Sequence, residues 1–429
     1  MIALQANKKL DLVSLASIPL IMTLGNSMLI PVLPEMERQL KIGSLQVSMI
    51  ITVYSVVAIF LIPVAGYMSD QYGRKKIIIP SLIITAIGGL VSGLAAWFLK
   101  DSYWVILIGR LLQGIGAAGA FPIVLPLVGD MFKSDDDVSQ GLGIIETANT
   151  FGKVLSPILG ATLALVVWYL PFLSIPVFCL VSVVLVAWLV KVPRRADQKK
   201  VKFREFLSSM KQIFAQKGRW LVAIFTIGGI SMFVIFGSMF YLSSKLEDDF
   251  HIKGVLKGLI LAIPLLALCI TSFITGKYIQ DNKRLMKWLS FTGCVVQTAA
   301  ITAGATVDNI YLLVSALFLG GAGIGLVLPC LDSLITGGID KEERGTVTSL
   351  YSSVRYIGVA AGPPAVSLLS KVSHQAVFYS ISGLCAISAV LSLFAIKPGT
   401  NAQKTENVQH FDSVHRGTGR SKSTKPGPA

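Results

Sequence analysis

Glu146 and Lys153 stand inside residues 141–165, a stretch otherwise apolar enough to lie in a membrane. A helix rises about 1.5 Å per residue, so a stretch of this length crosses a hydrocarbon layer roughly 30 Å thick. An ionisable side chain near the bilayer centre costs roughly 2.5 to 3.5 kcal/mol on insertion scales, so it normally faces protein or a watery cavity. Glu146, Asn149, Lys153, Pro157 and Gly160 recur at helical spacing and fall on one stripe. Such a stripe can exchange a proton at its carboxylate and recognise charge at its ammonium. A static pair of Glu146 with Lys153 or with Arg355 would explain the same residues without chemistry. Arg110 also lies in an apolar run, where it must be paired or solvated, and a purely structural arginine bonded to carbonyls fits that position equally well. With Glu146 read as the one acid deep in a span, the deep charges are Arg110, Lys153 and Arg355 against Glu146. That surplus favours an anionic or catechol-bearing ligand over a cation. Asn26 and Gln113 add polar groups to the same interior. Phe236, among Met232, Phe233, Met239, Phe240 and Tyr241, offers an adaptable apolar wall or ordinary packing against protein and lipid.

The elements that would hold these residues are membrane helices. Of 429 residues, 53% are apolar and 14% charged, and span-length apolar runs recur from end to end. Twelve spans are expected, at 12–33, 45–68, 77–99, 103–129, 140–165, 171–191, 219–243, 255–279, 286–306, 309–333, 346–370 and 374–396. The first is span-length and ends in Pro31 and Pro34 rather than in a cleavage pattern, so it is expected to be retained. The net charge of +15 falls mostly on loops of one side, with Glu35, Glu37, Asp101, Glu247, Asp248, Asp249 and Asp308 on the other. This is positive-inside patterning, with both termini cytoplasmic, and does not call for nucleic acid. The five cysteines sit inside spans at no metal-like spacing and read as packing residues.

The chain divides into a six-helix bundle at 1–192, a basic linker at 193–218, a second six-helix bundle at 219–397 and a tail at 398–429. In the linker Phe203, Phe206, Leu207, Met210 and Phe214 recur at helical spacing among lysines, the pattern of an amphipathic helix lying on the membrane surface; a partner site is the alternative. The tail is poor in apolar residues and is expected to be disordered. The halves look alike. GKVLSP at 152–157 matches GVAAGP at 358–363; the glycine-rich fourth and tenth spans end near Asp130 and Asp332; GYMSDQYGRKK has a degraded counterpart in GKYIQDNKR. Such internal symmetry is expected of secondary transporters.

Gly66, Asp70, Gly73, Arg74 and Lys75 form a G-x-x-x-D-x-x-G-R-K loop. Arg110, Gln113, Gly114 and Gly116 form R-x-x-Q-G-x-G, and Gly152, Ser156 and Pro157 fit G-x-x-x-[GS]-P. With Pro31 and Pro34 (PVLP), these motifs resemble the major facilitator superfamily, and within it the twelve-span drug:proton antiporters. The resemblance covers the whole chain except linker and tail. It implies an all-α integral membrane protein of two pseudo-symmetric six-helix bundles in the cell membrane. It further implies a conformational latch of Gly66, Asp70, Gly73, Arg74 and Asp130, and proton coupling at Glu146 and Arg110. Ser156 stands where glycine is usual and Ala161 where a second glycine is, but both are small, so close packing survives. Spans five and eleven are expected to meet near Gly152, Ser156, Gly358 and Gly362, with Pro157, Gly160 and Pro363 allowing bends. Span one has Asn26 but no acid in its interior, so a carboxylate there cannot act as it does in some relatives.

The expected function is a proton-coupled antiporter exporting small amphipathic compounds. It would use no cofactor beyond the proton gradient, and its partners would be the substrate, protons and lipid, with one chain sufficing. The pattern of the fifth span also resembles a subgroup that includes an exporter of a catecholate siderophore of the bacillibactin kind. An importer with the same fold, or a non-transporting receptor or scaffold, would share many of these features. The sequence carries neither a G-x-x-x-x-G-K-[ST] loop nor H-E-x-x-H, so ATPase or hydrolase chemistry is not expected.

Overall fold

The computed structural model describes residues 6–132, 135–190, 203–279, 282–307, 309–339 and 341–396; side chains at 6–9, 135–137, 139–140, 203–217 and 341–343 lie outside that description, as do linker residues 193–202 and the whole tail. The described residues are helical almost throughout. The elements are α1 (Ala6–Ser27), a 3-10 turn (Ile30–Val32), α2 (Leu33–Leu40), α3 (Ser44–Tyr72), α4 (Arg74–Phe98), α5 (Tyr103–Met131), α6 (Asp135–Ala164), α7 (Leu170–Leu189), α8 (Phe203–Asp248), α9 (Gly254–Ile279), α10 (Lys283–Gly304), α11 (Ile310–Gly338), α12 (Lys341–Leu369) and α13 (His374–Ala395). Among the described residues nine segments are long and apolar enough to cross a membrane. The other three, α6, α10 and α12, are of spanning length but more polar.

Local sequence explains the interruptions. Pro31 and Pro34 break the first span into α1, the 3-10 turn and α2, because neither supplies an N–H to a helical ladder. Between α3 and α4 the chain turns at Gly73 with φ +100°, a conformation only glycine adopts without strain. Asn282, Asn309 and Ser373 cap α10, α11 and α13 through side chains that accept from backbone N–H groups at 3.0, 2.8 and 3.0 Å. The linker differs from its expectation as a separate surface helix: from Phe203 it is one uninterrupted 46-residue helix with the seventh span. Gly218 is the only weak helix former at the junction, and a lone glycine costs about 1 kcal/mol without breaking a helix.

The packing repeats itself. In the first six spans α4 packs on α5 and α7, α3 on α5, and α1 on α6 and α7. In the second six α10 packs on α11 and α13, α9 on α11, and α8 on α12 and α13. Two seams join the sets, α3 with α12 and α6 with α9, and these are symmetry equivalents of each other. The glycines sit at the closest of these crossings. A Cβ on Gly88 would come within 2.5 Å of the Gly109 carbonyl, and one on Gly293 within 2.6 Å of the Gly323 carbonyl, at the α4–α5 crossing and its counterpart α10–α11. Exposed aromatics mark both ends of the helices: Trp97, Trp104 and Tyr311 away from the termini, Tyr72, Trp188 and Tyr278 toward them. This is the distribution of membrane-interface belts.

Spans five and eleven do not use their small residues on each other. Gly152 and Gly160 of α6 face Leu20 and Met28 of α1, and Ser156 donates to the Thr23 and Gly152 carbonyls. Gly358 and Gly362 of α12 face Gly229, Phe233 and Gly237 of α8; Pro363 follows inside the same helix. The motif places each helix against the first helix of its own half, because backbone-to-backbone approach is closest there. Gly160→Ala is therefore expected to lower the melting temperature of detergent-solubilised protein. Its Cβ would lie 1.9 Å from the Met28 carbonyl oxygen, an overpacking worth about 1 to 3 kcal/mol. Gly276→Ala, with nothing within 4 Å, should leave it unchanged or raise it.

Candidate functional site

A cavity of about 20 Å³ lies between the halves, room for roughly one water. Ser27 and Ile30 at the end of the first span, Lys153 and Pro157 of α6, Ile235, Phe236 and Met239 of α8, and Leu261 and Leu265 of α9 line it. Its walls thus come from the first spans and the α6–α9 seam. Lys153 is 6% exposed, and its Nζ has no hydrogen-bond partner. An ammonium in apolar surroundings without acceptors loses its hydration and gains nothing in return. The arrangement can receive a negatively charged or strongly accepting group against an apolar, adaptable wall supplied by Phe236 and Met239.

Glu146 lies two turns along α6 from Lys153. Its carboxylate accepts from Asn149 Nδ2 at 3.1 and 3.3 Å, and Asn149 Oδ1 accepts from Thr23 Oγ1 at 2.6 Å. Glu146 is thereby tied to its own helix and to α1, not to Lys153 by contact. On the other half Arg355 Nη1 of α12 stands 3.7 Å from Asp332 Oδ1 of α11, with Tyr351 beneath the guanidinium at 5.5 Å. Glu146, Lys153, Asp332 and Arg355 are close enough to feel one another's charge. Asp332 corrects the sequence reading, in which Glu146 was the one deep acid and Asp332 sat at a span end: α11 runs on to Gly338, so Asp332 lies inside it. The surplus of cations shrinks accordingly, and the pairing of Asp332 with Arg355 answers the expectation of a Glu146–Arg355 contact. The sequence signal for Asp332 was its match to Asp130 in the repeat.

Arg110 belongs to a different place. Fully buried, it donates to the Ile50 carbonyl at 2.7 Å, the Gly25 carbonyl at 3.3 Å, Gln113 Oε1 at 2.6 Å and Asn26 Oδ1 at 2.5 Å, and its guanidinium lies 4.5 Å from the Tyr54 ring centre. Asn26 and Gln113, read as cavity residues, are partners of this arginine and do not line the cavity. The network welds α1, α3 and α5, and Tyr54 touches Tyr356 of α12 with ring centres 6.2 Å apart.

The loop motif assembles at the end of the helices nearer the termini. Arg74 Nε pairs with Asp130 at 2.6 Å and Arg74 Nη2 with Asp70 at 3.0 Å, while Lys75 donates to the Ala187 and Val190 carbonyls that end α7. Gly66 faces the other half: a Cβ there would meet Ser349 Oγ of α12 at 2.9 Å. These ion pairs bind α3, α4 and α5 together, and the close approach to the second half is made by Gly66.

The sequence matches the Major Facilitator Superfamily family model over residues 15–363 and 245–424. It is 51% identical over 405 residues to the bacillibactin exporter of Bacillus subtilis (strain 168), covering 94% of this chain and 100% of that one. A multidrug efflux protein of the same organism is 23% identical over 86% of this chain and 89% of its own. The solved structure of the human organic anion transporter MFSD10 superposes with a TM-score of 0.72 at 21% identity, covering 90% of this chain and 100% of that one. The two buried cations should respond oppositely to loss of charge. Arg110→Met orphans several buried acceptors at about 1 to 3 kcal/mol each and should lower the melting temperature by many degrees, whereas Lys153→Met removes an unpartnered ammonium and should leave it unchanged or raise it.

Proposed function

The chain belongs to the Major Facilitator Superfamily, and from that premise we propose a proton-coupled antiporter that exports anionic or catechol-bearing amphipathic compounds. It is a multi-span membrane transporter of the drug and siderophore efflux type and not an enzyme. The observation that carries the finer reading is the unpartnered ammonium of Lys153 on the wall of an apolar cavity. Counting deep charges no longer carries it, since Asp332 balances Arg355 and Arg110 is taken up by carbonyls. A bound anion would supply the partner Lys153 lacks, while Phe236, Met239 and Leu265 would cover the aromatic body of the substrate. The 51% relative is named for a catecholate siderophore, which has this chemistry, and a cargo of that kind is the specific form of the proposal.

Glu146 is the proposed proton carrier. It is half-buried, held by a neutral asparagine and not by a cation, and it senses Lys153 along the same helix. Antiport requires that Glu146 hold its proton in the state that has released the cargo, so protonation of Glu146 and occupation of the Lys153 site would alternate. Arg110, locked to carbonyls, is assigned the rigidity of the first half in place of direct proton exchange. Both six-helix sets and the complete cavity come from one chain, which supports function as a monomer in the cell membrane. The excess of Lys and Arg on the loops nearer the termini supports cytoplasmic termini.

The test is flux into proteoliposomes carrying a pH gradient, with a tricatecholate compound and a lipophilic cation compared. Wild type should move the catecholate and respond to the gradient. Glu146→Gln should abolish the gradient dependence, and Lys153→Met should cut catecholate flux at least tenfold, about 1.4 kcal/mol or more of lost recognition. Transport of the cation alone, indifferent to Lys153→Met, would overturn the anionic assignment.

A further inference from the structure

At the end of the bundle away from the termini, the second half reaches onto the broken end of the first span. Pro34 has no N–H for the Ile30 carbonyl, which accepts instead from the Leu33 N–H of the 3-10 turn, and Ser243 Oγ of α8 donates to that same carbonyl at 2.9 Å. Lys257 Nζ of α9 donates to the neighbouring Pro31 carbonyl at 2.7 Å and to Glu247 Oε2 at 2.6 Å. Glu247 in turn pairs with Arg38 of α2, which also holds Glu35 at 2.5 Å, and lies 3.8 Å from Lys253. Lys257 is 2% exposed and Glu247 5%, so this is a desolvated cluster; Lys257 and Glu247 pair within the second half, and the Arg38–Glu247 pair and the bonds to the Ile30 and Pro31 carbonyls are the ones that cross between the halves.

Its position relative to the cavity is what gives it a role. Ile30 lines the cavity itself, Ser243 is one turn beyond the lining residue Met239, and Lys257 one turn beyond the lining residue Leu261. The contacts therefore form the next layer over the cavity on that side. The proline break and the buried lysine, which look unrelated in the sequence, are two parts of one joint. We propose that Ser243, Glu247 and Lys257, docked on the Ile30 and Pro31 carbonyls and on Arg38, are the latch that closes the cavity on the side away from the termini. The latch must part for cargo to leave. Separating the halves takes the two carbonyls and Arg38 away from Ser243, Lys257 and Glu247 and admits water, which replaces the bonds lost across the joint while Lys257 and Glu247 keep each other, and this makes an open state attainable. This inference rests on the transport reading, but its test needs neither substrate nor flux.

The reporter is Ser27→Cys, a near-isosteric change on the cavity wall, read on intact cells as the rate of labelling by a membrane-impermeant maleimide over the protein retaining Ser27. With the latch intact labelling should be slow. Adding Lys257→Met, or Arg38→Gln at a side chain 42% exposed and hence tolerant of change, should speed it at least fivefold. Unchanged rates in both variants, with both proteins folded by size-exclusion and melting, would overturn the latch. Phe250→Cys, in the loop beside it, reports which face is outside; should it label only in inverted vesicles, the same comparison is run there, so an error of orientation is distinguished from an error about the latch.

Discussion

A charge inside a bilayer-embedded protein has few acceptors to choose from, and the organisation of this molecule follows from how each is satisfied. Arg110 takes two backbone carbonyls and two side-chain oxygens and is thereby made part of the scaffold. Arg355 has Asp332, Arg74 has Asp70 and Asp130, and Lys257 has Glu247 with the Pro31 carbonyl. Lys153 has none of these. In a low-dielectric interior an unpaired ammonium is the costliest group present, so its location defines where a ligand is worth most.

The second constraint is shape. Each half is held by glycine-mediated backbone approaches repeated in the other, at Gly114 with the Tyr54 carbonyl and at Gly321 with the Pro264 carbonyl. Such contacts have no side chains to deform, which suits rigid bodies. Between the halves the α3–α12 seam is held by contacts of another kind: Thr52 Oγ1 donates to the Ala360 carbonyl at 2.8 Å, Ser44 and Ser367 hydroxyls meet at 2.8 Å, and Tyr54 rests against Tyr356. Hydrogen bonds of this sort exchange for water at modest net cost, so a seam held by them can part and re-form.

Charge and shape meet at the α6–α9 seam. A Cβ on Gly258 would come within 2.5 Å of the Pro157 carbonyl, so α9 lies close against the part of α6 that faces the cavity. Movement of the second half relative to the first would alter the surroundings of Lys153, and occupation of the Lys153 site would in turn bias that movement. If Lys153 recognises cargo as proposed, the coupling of cargo to conformation needs no separate transmitting element, because Lys153 stands at the seam between the halves.

Sequence alone determined the class of molecule, since apolar runs of bilayer length and cations biased to one side follow from the solvent the chain lives in, independently of how helices pack. It also marked Glu146 and Lys153, because a charge in an apolar run is visible without coordinates, and it paired Arg74 with Asp130 through the loop motif. Partnership across helices was another matter. That Arg110, Asn26 and Gln113 form one scaffold network apart from the cavity, that Asp332 lies inside α11 beside Arg355, and that the small residues of α6 and α12 face α1 and α8 depended on helix rotation. Periodicity says which residues share a face but not which neighbour that face meets. Only the tertiary structure, by fixing those rotations, decided which buried charges are satisfied and that Lys153, among the described residues, has no hydrogen-bond partner on its ammonium.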